Sequence, residues 1–355
     1  MQTPRQHRLI QHSRRHFFGA LFAAALGGCT LFSTPINAGG KNMTELTKNM
    51  QAVCVGRFVF EIPSVARIKG WTQNVDDTKI ETISRPAMNK TAFENKIAQR
   101  VTLLKTSPHK TDGILFKDKI QLTPDSLLFV YRENESNRRI FELEAWFWRP
   151  ALEMKFHAGI SNEDLVEGID DISKVVKSFS PVPISDMTRL PPGLCIETGV
   201  ITGSVPRGEA VAVSGRIDQY PGVTFSFSTQ TQSKPHEDPT MIDRIARSFG
   251  LGDRLGKEIS ASTTFLRKGK RSLNGQKGEE IVAVITINGE TSMKANAEFY
   301  TEPKTLDKPT IEISLSDQTH DDNTHKPYPK NLTQEEFLAL WDALLNGIKL
   351  RPGAL

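Results

Sequence analysis

Between residues 180 and 193 the chain carries prolines at 181, 183, 191 and 192, within Ser180-Pro181-Val182-Pro183 and Pro191-Pro192-Gly193. Each proline fixes φ and lacks an amide hydrogen, so no helix or central strand runs through this stretch. The chain is therefore cut in two, and each part must bury its own apolar residues. Before the cut, Cys54-Val55-Gly56-Arg57-Phe58-Val59-Phe60-Glu61-Ile62-Pro63 reads as a strand stopped by proline. Met43, Leu46, Met50 and Val53 recur at helical spacing and predict a helix leading into it. Strands are expected over 79–83, 127–132, 140–148 and 154–160. The third alternates Phe141, Leu143, Ala145 and Phe147 with Glu142, Glu144, Trp146 and Trp148. Aromatics on both faces predict that this strand is buried on both sides. Phe93, Ile97, Val101 and Leu104 mark one helix. Leu165, Ile169, Ile172, Val176 and Phe179 mark another, with Asn162 and Asp164 at its cap and first turn.

After the cut the plan repeats. Strands are expected at 194–196, 210–217, 223–229, 260–266, 280–287, 295–300 and 311–315, with a helix over 240–249. A closing helix starts near Thr333, buries Phe337, Leu340, Trp341, Leu344 and Leu345, and ends at Asn346-Gly347. The expectation is an α+β fold: two domains of related plan, 43–183 and 184–355, each with an antiparallel sheet and helices.

The N-terminus reads as an address. Residues 1–16 include Arg5, Arg8, Arg14 and Arg15 and no acid, and Phe17 to Leu26 is apolar. Charged region, short apolar region and small residues are the order of a secretory signal. Ten apolar residues are too few to span a bilayer, which takes about 20. Leu26-Gly27-Gly28-Cys29 resembles the bacterial lipobox. That resemblance implies cleavage before Cys29 and lipidation of its thiol, with residues 1–28 as a lipoprotein signal peptide and 29–42 as a flexible tether. Ser13-Arg14-Arg15-His16-Phe17-Phe18 resembles the twin-arginine export signal, with Phe18 and Gly19 departing from its usual Leu and Lys. The general secretory route is the alternative. The expected location is the periplasm, lipid-anchored to a bacterial membrane. Thr30, not aspartate, follows the cysteine, which favours the outer membrane.

Charge narrows the function. The chain holds 45 basic and 41 acidic residues, and the four arginines of the leader leave 41 against 41. A balanced chain lacks the basic surplus that phosphate neutralisation requires, so nucleic-acid binding is excluded as a leading class. Beyond Cys29 only Cys54 and Cys195 remain. In an oxidising compartment they are candidates for a disulfide, with two buried free thiols as the alternative. Neither has another Cys or a His at ligand spacing, so no metal site is expected there.

A search for chemistry finds no catalytic set. Ile201-Thr202-Gly203-Ser204-Val205 lacks the second glycine of a nucleophile elbow. The glycines of Gly250-Leu251-Gly252-Asp253-Arg254-Leu255-Gly256 are spaced wrongly for a dinucleotide loop and follow a helix rather than a strand. His320-Asp321-Asp322-Asn323-Thr324-His325 reads as a solvated loop. The neighbouring acids Glu279-Glu280 and Asp170-Asp171 read as solvated faces. Arg267-Lys268-Gly269-Lys270-Arg271 is expected at a hairpin tip. No enzyme activity, catalytic residue, cofactor or metal is expected.

Several short stretches, in order, resemble the lipase-immunity proteins of bacterial type VI secretion, two-domain members that protect against phospholipase effectors. They are Cys54-Val55-Gly56-Arg57-Phe58 with Glu61-Ile62-Pro63, Gly193-Leu194-Cys195-Ile196 with Gly199 and Gly203, and Tyr220-Pro221-Gly222-Val223. Glu197-Thr198 departs from the acid or asparagine expected nearer Cys195. The resemblance implies a protein that waits in the periplasm, grips its cognate phospholipase effector between two domains, blocks substrate access and does no chemistry. No motif marks the interface. The alternatives are an envelope lipoprotein with a structural or ligand-sensing role and a secreted hydrolase with dispersed active-site residues.

Overall fold

The structure is a computed structural model that describes residues 45–84, 89–150, 152–203, 208–232, 239–250, 262–287, 289–321, 324 and 326–355. The leader, Cys29 and the tether lie outside the described residues, as does the stretch 251–256.

A short helix, α1 (Glu45–Lys48), leads to β1 (Met50–Val55) and β2 (Phe58–Pro63). The expected helix through Met50 and Val53 is corrected to strand. Val53 pairs with Phe60 and Cys54 with Val59, and this ladder satisfies more backbone than one isolated helical turn would. Then come β3 (Ala66–Val75), β4 (Thr78–Ser84), α2 (Lys90–Thr106) and a small ribbon of β5 (Pro108–His109) and β6 (Gly113–Ile114). Strands β7 (Phe116–Thr123), β8 (Ser126–Arg132), β9 (Ile140–Arg149) and β10 (Leu152–Ser161) form a meander, followed by α3 (Leu165–Ser178) and β11 (Phe179–Ser180). Past the prolines lie β12 (Leu194–Ile196), β13 (Gly199–Ile201), β14 (Glu209–Ile217), β15 (Tyr220–Gln230) and α4 (Met241–Gly250). The chain finishes with β16 (Thr263–Leu273), β17 (Gln276–Ile287), β18 (Glu290–Phe299), β19 (Thr310–Gln318), α5 (Gln334–Asn346) and β20 (Lys349–Leu350).

Twelve of these strands form one antiparallel sheet, in the order β16-β17-β18-β19-β15-β14-β3-β4-β10-β9-β8-β7. The two halves of the chain therefore share a sheet rather than each closing its own. β3 pairs along its whole length with β14, from Val75↔Glu209 to Ala66↔Ile217. Its ladder to β4 has only Asn74↔Lys79 and Val75↔Thr78, around a turn in which Asp76 (φ 48°) and Asp77 (φ 61°) are both left-handed. Two positive φ values are what a two-residue type I′ hairpin demands. Beyond those rungs β3 and β4 part. Gln73 fills the gap: it is buried, its Nε2 donates to Ile80 O (3.3 Å), and its Oε1 accepts the Glu197 amide of the β12–β13 turn.

The first strands also reach across the proline cut. β2 takes β20 as its other neighbour through Phe58↔Leu350 and Val59↔Lys349. Residues 50–75 are thus built into the body made mainly by the second half. The other body consists of β4, β10, β9, β8 and β7 with α2 and α3.

The core lies on one face of the sheet. Strand alternation sends Phe141, Leu143, Ala145 and Phe147 of β9 into it, and Val211, Val213, Phe225, Phe227, Ile311, Ile313 and Leu315 from the other body. Ile172, Val175 and Val176 of α3 and Phe337, Leu340, Trp341, Leu344 and Leu345 of α5 cover that face. α5 begins with a capping box between Thr333 and Glu336. α3 lacks such a cap: the Asp164 carboxylate accepts the Ser161 hydroxyl instead (2.8 Å).

Three links tie the first strands to the second half at the prolines. Cys54 and Cys195 Sγ atoms are bonded at 2.00 Å. Gly56 and Cys195 exchange both backbone hydrogen bonds (3.0 and 2.7 Å). Arg57, buried in the interior, donates from Nε to Glu209 Oε2 (2.8 Å), and its Nη groups donate to Glu209 Oε1, Ala354 O and Gly203 O. Arg351, also buried, donates to the Pro191 and Gly193 carbonyls (2.9 and 3.0 Å), which fixes the C-terminal segment against the proline stretch.

Candidate interaction face

The opposite face of the sheet is open in its middle. The reason is visible strand by strand. β15 reads Thr224-x-Ser226-x-Ser228, β19 reads Ser314-x-Ser316, and β14 carries Ala212 and Ser214 between buried apolar neighbours. Period two puts the large apolar residues on the core face and leaves hydroxyls and methyls on the other.

Register aligns these residues into rows across five strands. One row is Asn296, Ser314, Ser226, Ser214 and Gly70, with the Ser226 and Ser314 hydroxyls 2.6 Å apart. On one side lies Lys294, Ser316, Thr224, Arg216 and Arg67; on the other Glu298, Glu312, Ser228, Ala212 and Thr72. Glu279 of β17 extends the acidic end beside Glu298. Rows are two residues apart, about 7 Å, so the basic and acidic rows stand about 14 Å from each other. Nothing larger than asparagine lies in the row between them.

Helices wall this floor at both ends. α4 stands over β17: the Ile242 amide donates to Glu279 Oε2 (2.9 Å) and Arg244 pairs with Glu298. α2 stands over β8 and β9, where Phe93, Ile97 and Leu104 meet Leu127, Phe129, Tyr131 and Trp146. Two ion pairs assist it. Lys96 Nζ lies 2.5 Å from Glu153, and Arg100 Nε donates to Glu144 Oε1 (3.0 Å). Burial alone would raise Glu144, but hydrogen bonds from Arg100, Trp146 and Tyr131 outweigh it and hold the carboxyl below its usual range. Between the walls, β10 to β18 span seven strands, about 29 Å at the usual strand spacing. That width accepts part of a folded protein rather than a small molecule.

At the Arg67–Arg216 end, three cations meet one acid. Arg67 Nε is 2.7 Å, Arg216 Nε 3.0 Å and Lys69 Nζ 4.0 Å from Asp218, and the three basic side chains are 70%, 51% and 44% exposed. The hydrogen bond from Arg216 holds the Asp218 carboxyl below its usual range.

The residues singled out in the sequence fall elsewhere. Cys54 and Cys195 are fully buried and joined, packed against Val182, Ile184, Met187 and Leu190, so they belong to the scaffold. Trp146 is buried under α2, and Trp148 is half-buried at its edge, stacked on Phe93. The 267–271 cluster is not a hairpin tip. It lies mid-strand in β16, because the β16–β17 ladder continues to Leu273↔Gln276. There Arg267 holds Asp342 through two bonds (2.6 and 2.8 Å) and Arg271 approaches Glu280. Glu280 is likewise not solvated: it is buried and accepts the Trp341 indole N–H (2.9 Å). Asp170 stays exposed beside Lys174, and His320 bridges to Pro327 near the last helix; His325, Asp322 and Asn323 lie outside the described residues. Among the described residues no group of three or more His, Cys, Asp or Glu could hold a metal, and no helix is long and apolar enough to cross a membrane. Sequence reading missed the Asp218 cluster. Its one local signal is Arg216-x-Asp218; Arg67 reaches it only through a pairing of distant strands.

Comparison with known proteins follows the same division. Residues 51–187 match the family described as the Tle cognate immunity protein 4 N-terminal domain, and residues 190–353 match its C-terminal domain. A chain in the crystal structure of the Tle4–Tli4 complex superposes with a TM-score of 0.73 at 20% identity, covering 86% of this chain and 99% of that one. The apo structure of TplEi, a T6SS immunity protein from Pseudomonas aeruginosa, gives 0.70 at 19% identity, covering 85% and 97%. At such identities these likenesses establish the α+β fold. Comparison with curated proteins gave no match. The two family domains are those of immunity proteins, not enzymes. Matched in order over both of its halves, the chain belongs to the Tle cognate immunity protein 4 family, the lipase-effector immunity proteins of type VI secretion.

Proposed function

We propose that this protein neutralises a cognate type VI secreted phospholipase by binding it outside the cytoplasm and covering the route by which lipid reaches its active site. The observation that carries the reading is the ordered match of both halves to one immunity family. The open face supports it. A hydroxyl floor about 29 Å wide between two helices can contribute to the 1,200–2,000 Å² typical of a specific interface. The bonds across the proline stretch hold the first strands and the C-terminal segment against the second half, so less conformational freedom is lost there when a partner docks. Cys29 serves as a lipid anchor, and the outer membrane is the favoured site, which concentrates the inhibitor where a phospholipase attacks.

Co-expression tests it. A periplasm-targeted phospholipase encoded beside this gene is expected to kill cells alone and to leave them viable when the full chain is present. Undiminished killing with the chain accumulated in the periplasm would remove the reading.

A further inference from the structure

The Cys54–Cys195 bond is closed to solvent. Both residues are fully buried. Val200 packs on them, and Val182, Ile184, Met187 and Leu190 of the proline stretch form the cover. That cover is fastened: Arg351 donates to the Pro191 and Gly193 carbonyls, and the Gly193 amide donates to Ala354 O (3.1 Å). Beneath it, Gly56 and Cys195 exchange both backbone hydrogen bonds. Thiol–disulfide exchange needs a sulfur that the attacking group can reach. Once the proline stretch has packed, neither Sγ is within reach. The bond must therefore form while the chain folds, in the compartment where it folds.

Two export routes fit the leader, the twin-arginine route suggested by Arg14-Arg15 and the general secretory route. The first carries chains that have already folded in the cytoplasm, and the second carries unfolded ones. The cytoplasm keeps thiols reduced. A chain folding there meets one of two ends. It falls short of a stable fold without the crosslink that spans 141 residues, or it folds with both thiols sealed from any oxidant it meets later. Neither end delivers the bonded structure. We propose that the chain crosses the inner membrane unfolded, by the general secretory route, and becomes competent only when a periplasmic dithiol–disulfide oxidoreductase joins Cys54 to Cys195 during folding. In that step the two thiols give two protons and two electrons to the oxidant's disulfide, through a mixed disulfide, and the oxidant leaves as a dithiol. Arg14 and Arg15 then serve only as positive charge of the leader. The proposal rests on the export of the chain, which is part of the function proposed above, and not on which protein it binds.

The test follows the full chain by cell fractionation, protease resistance and thiol alkylation under denaturing conditions. In a strain lacking the twin-arginine translocase, the chain is expected in the periplasm in the parent strain's amount, with Cys54 and Cys195 closed to alkylation. The variant Arg14→Lys/Arg15→Lys, which keeps the leader's charge and removes the arginine pair, is expected to behave the same way. In a strain lacking the periplasmic oxidoreductase, the chain is expected to cross with both thiols free and to lose its protease resistance. Retention in the cytoplasm in the translocase-deficient strain, or with the lysine pair, would overturn the proposal; so would free thiols in the periplasm of the parent strain. A second measurement needs no export. The purified chain is reduced in denaturant, returned to native buffer, and offered the oxidised oxidoreductase before and after refolding. The expected result is a reduced chain that stays unfolded, or one that folds with thiols closed to the oxidant. A folded reduced chain that oxidises as fast as the unfolded one would contradict the sealing argument. If the wild-type chain never leaves the cytoplasm, the export reading fails and this inference with it. An oxidised periplasmic chain that gives no protection against the effector would remove the proposed function alone.

Discussion

Replacing Cys54 and Cys195 together by alanine is expected to lower the unfolding free energy by about 5 kcal/mol, because the bond closes a loop of 141 residues and a longer closed loop removes more entropy from the unfolded chain. The position makes the loss consequential. The bond joins β1 to β12 at the place where the proline stretch offers only one short 3-10 turn, Met187–Arg189, to carry the connection. Folded chains are stable by about 5–15 kcal/mol in total, so the variant is expected to sit near the threshold of folding. Urea unfolding of the variant, and of the wild type with and without reductant, measures the effect. A shift below about 1 kcal/mol would mean that the bond is not a main tie between the first strands and the second half.

Arg57→Ala is expected to cost about 3–5 kcal/mol, since it strands Glu209 as a buried, unpaired carboxylate and removes donors from the Ala354 and Gly203 carbonyls. Burial already pushes Glu209 above its usual range, more than Arg57 beside it draws it down. Desolvation therefore dominates this pair, and removing both charges should be milder than removing one. The double variant Arg57→Leu/Glu209→Leu is expected to recover at least about 1 kcal/mol of the loss of the single one. A double-mutant cycle in urea reads this directly. Equal losses would show that the lost carbonyl contacts, not the stranded charge, set the cost.

What the sequence revealed and what it hid divide by distance. α5 was legible to the residue, because Phe337, Leu340, Trp341, Leu344 and Leu345 repeat at helical spacing and all face the core. β9 was legible too: its double aromatic face meant burial on both sides, and α2 supplies the second cover. β3 escaped notice, since Arg67-Ile68-Lys69-Gly70-Trp71 has no clean alternation of its own and acquires its place from β14, far along the chain. The open face escaped for the same reason. Serines that read as unremarkable polar positions become a floor only when register brings Ser214, Ser226 and Ser314 into one row. The cysteine pair stood between the two: the sequence named the candidates, and the Gly56–Cys195 bridge shows how the backbone brings them together. The acid Glu280 was misplaced because its partners, Trp341 and Arg271, come from other elements.

Covering of another protein is the proposed action of the chain, and a titration tests it most directly. The full chain, added in increasing amounts to the cognate phospholipase acting on lipid vesicles, is expected to abolish hydrolysis at about one equivalent while releasing no fatty acid by itself. Hydrolysis that continues undiminished at a large excess of the chain, or lipid turnover by the chain alone, would contradict it.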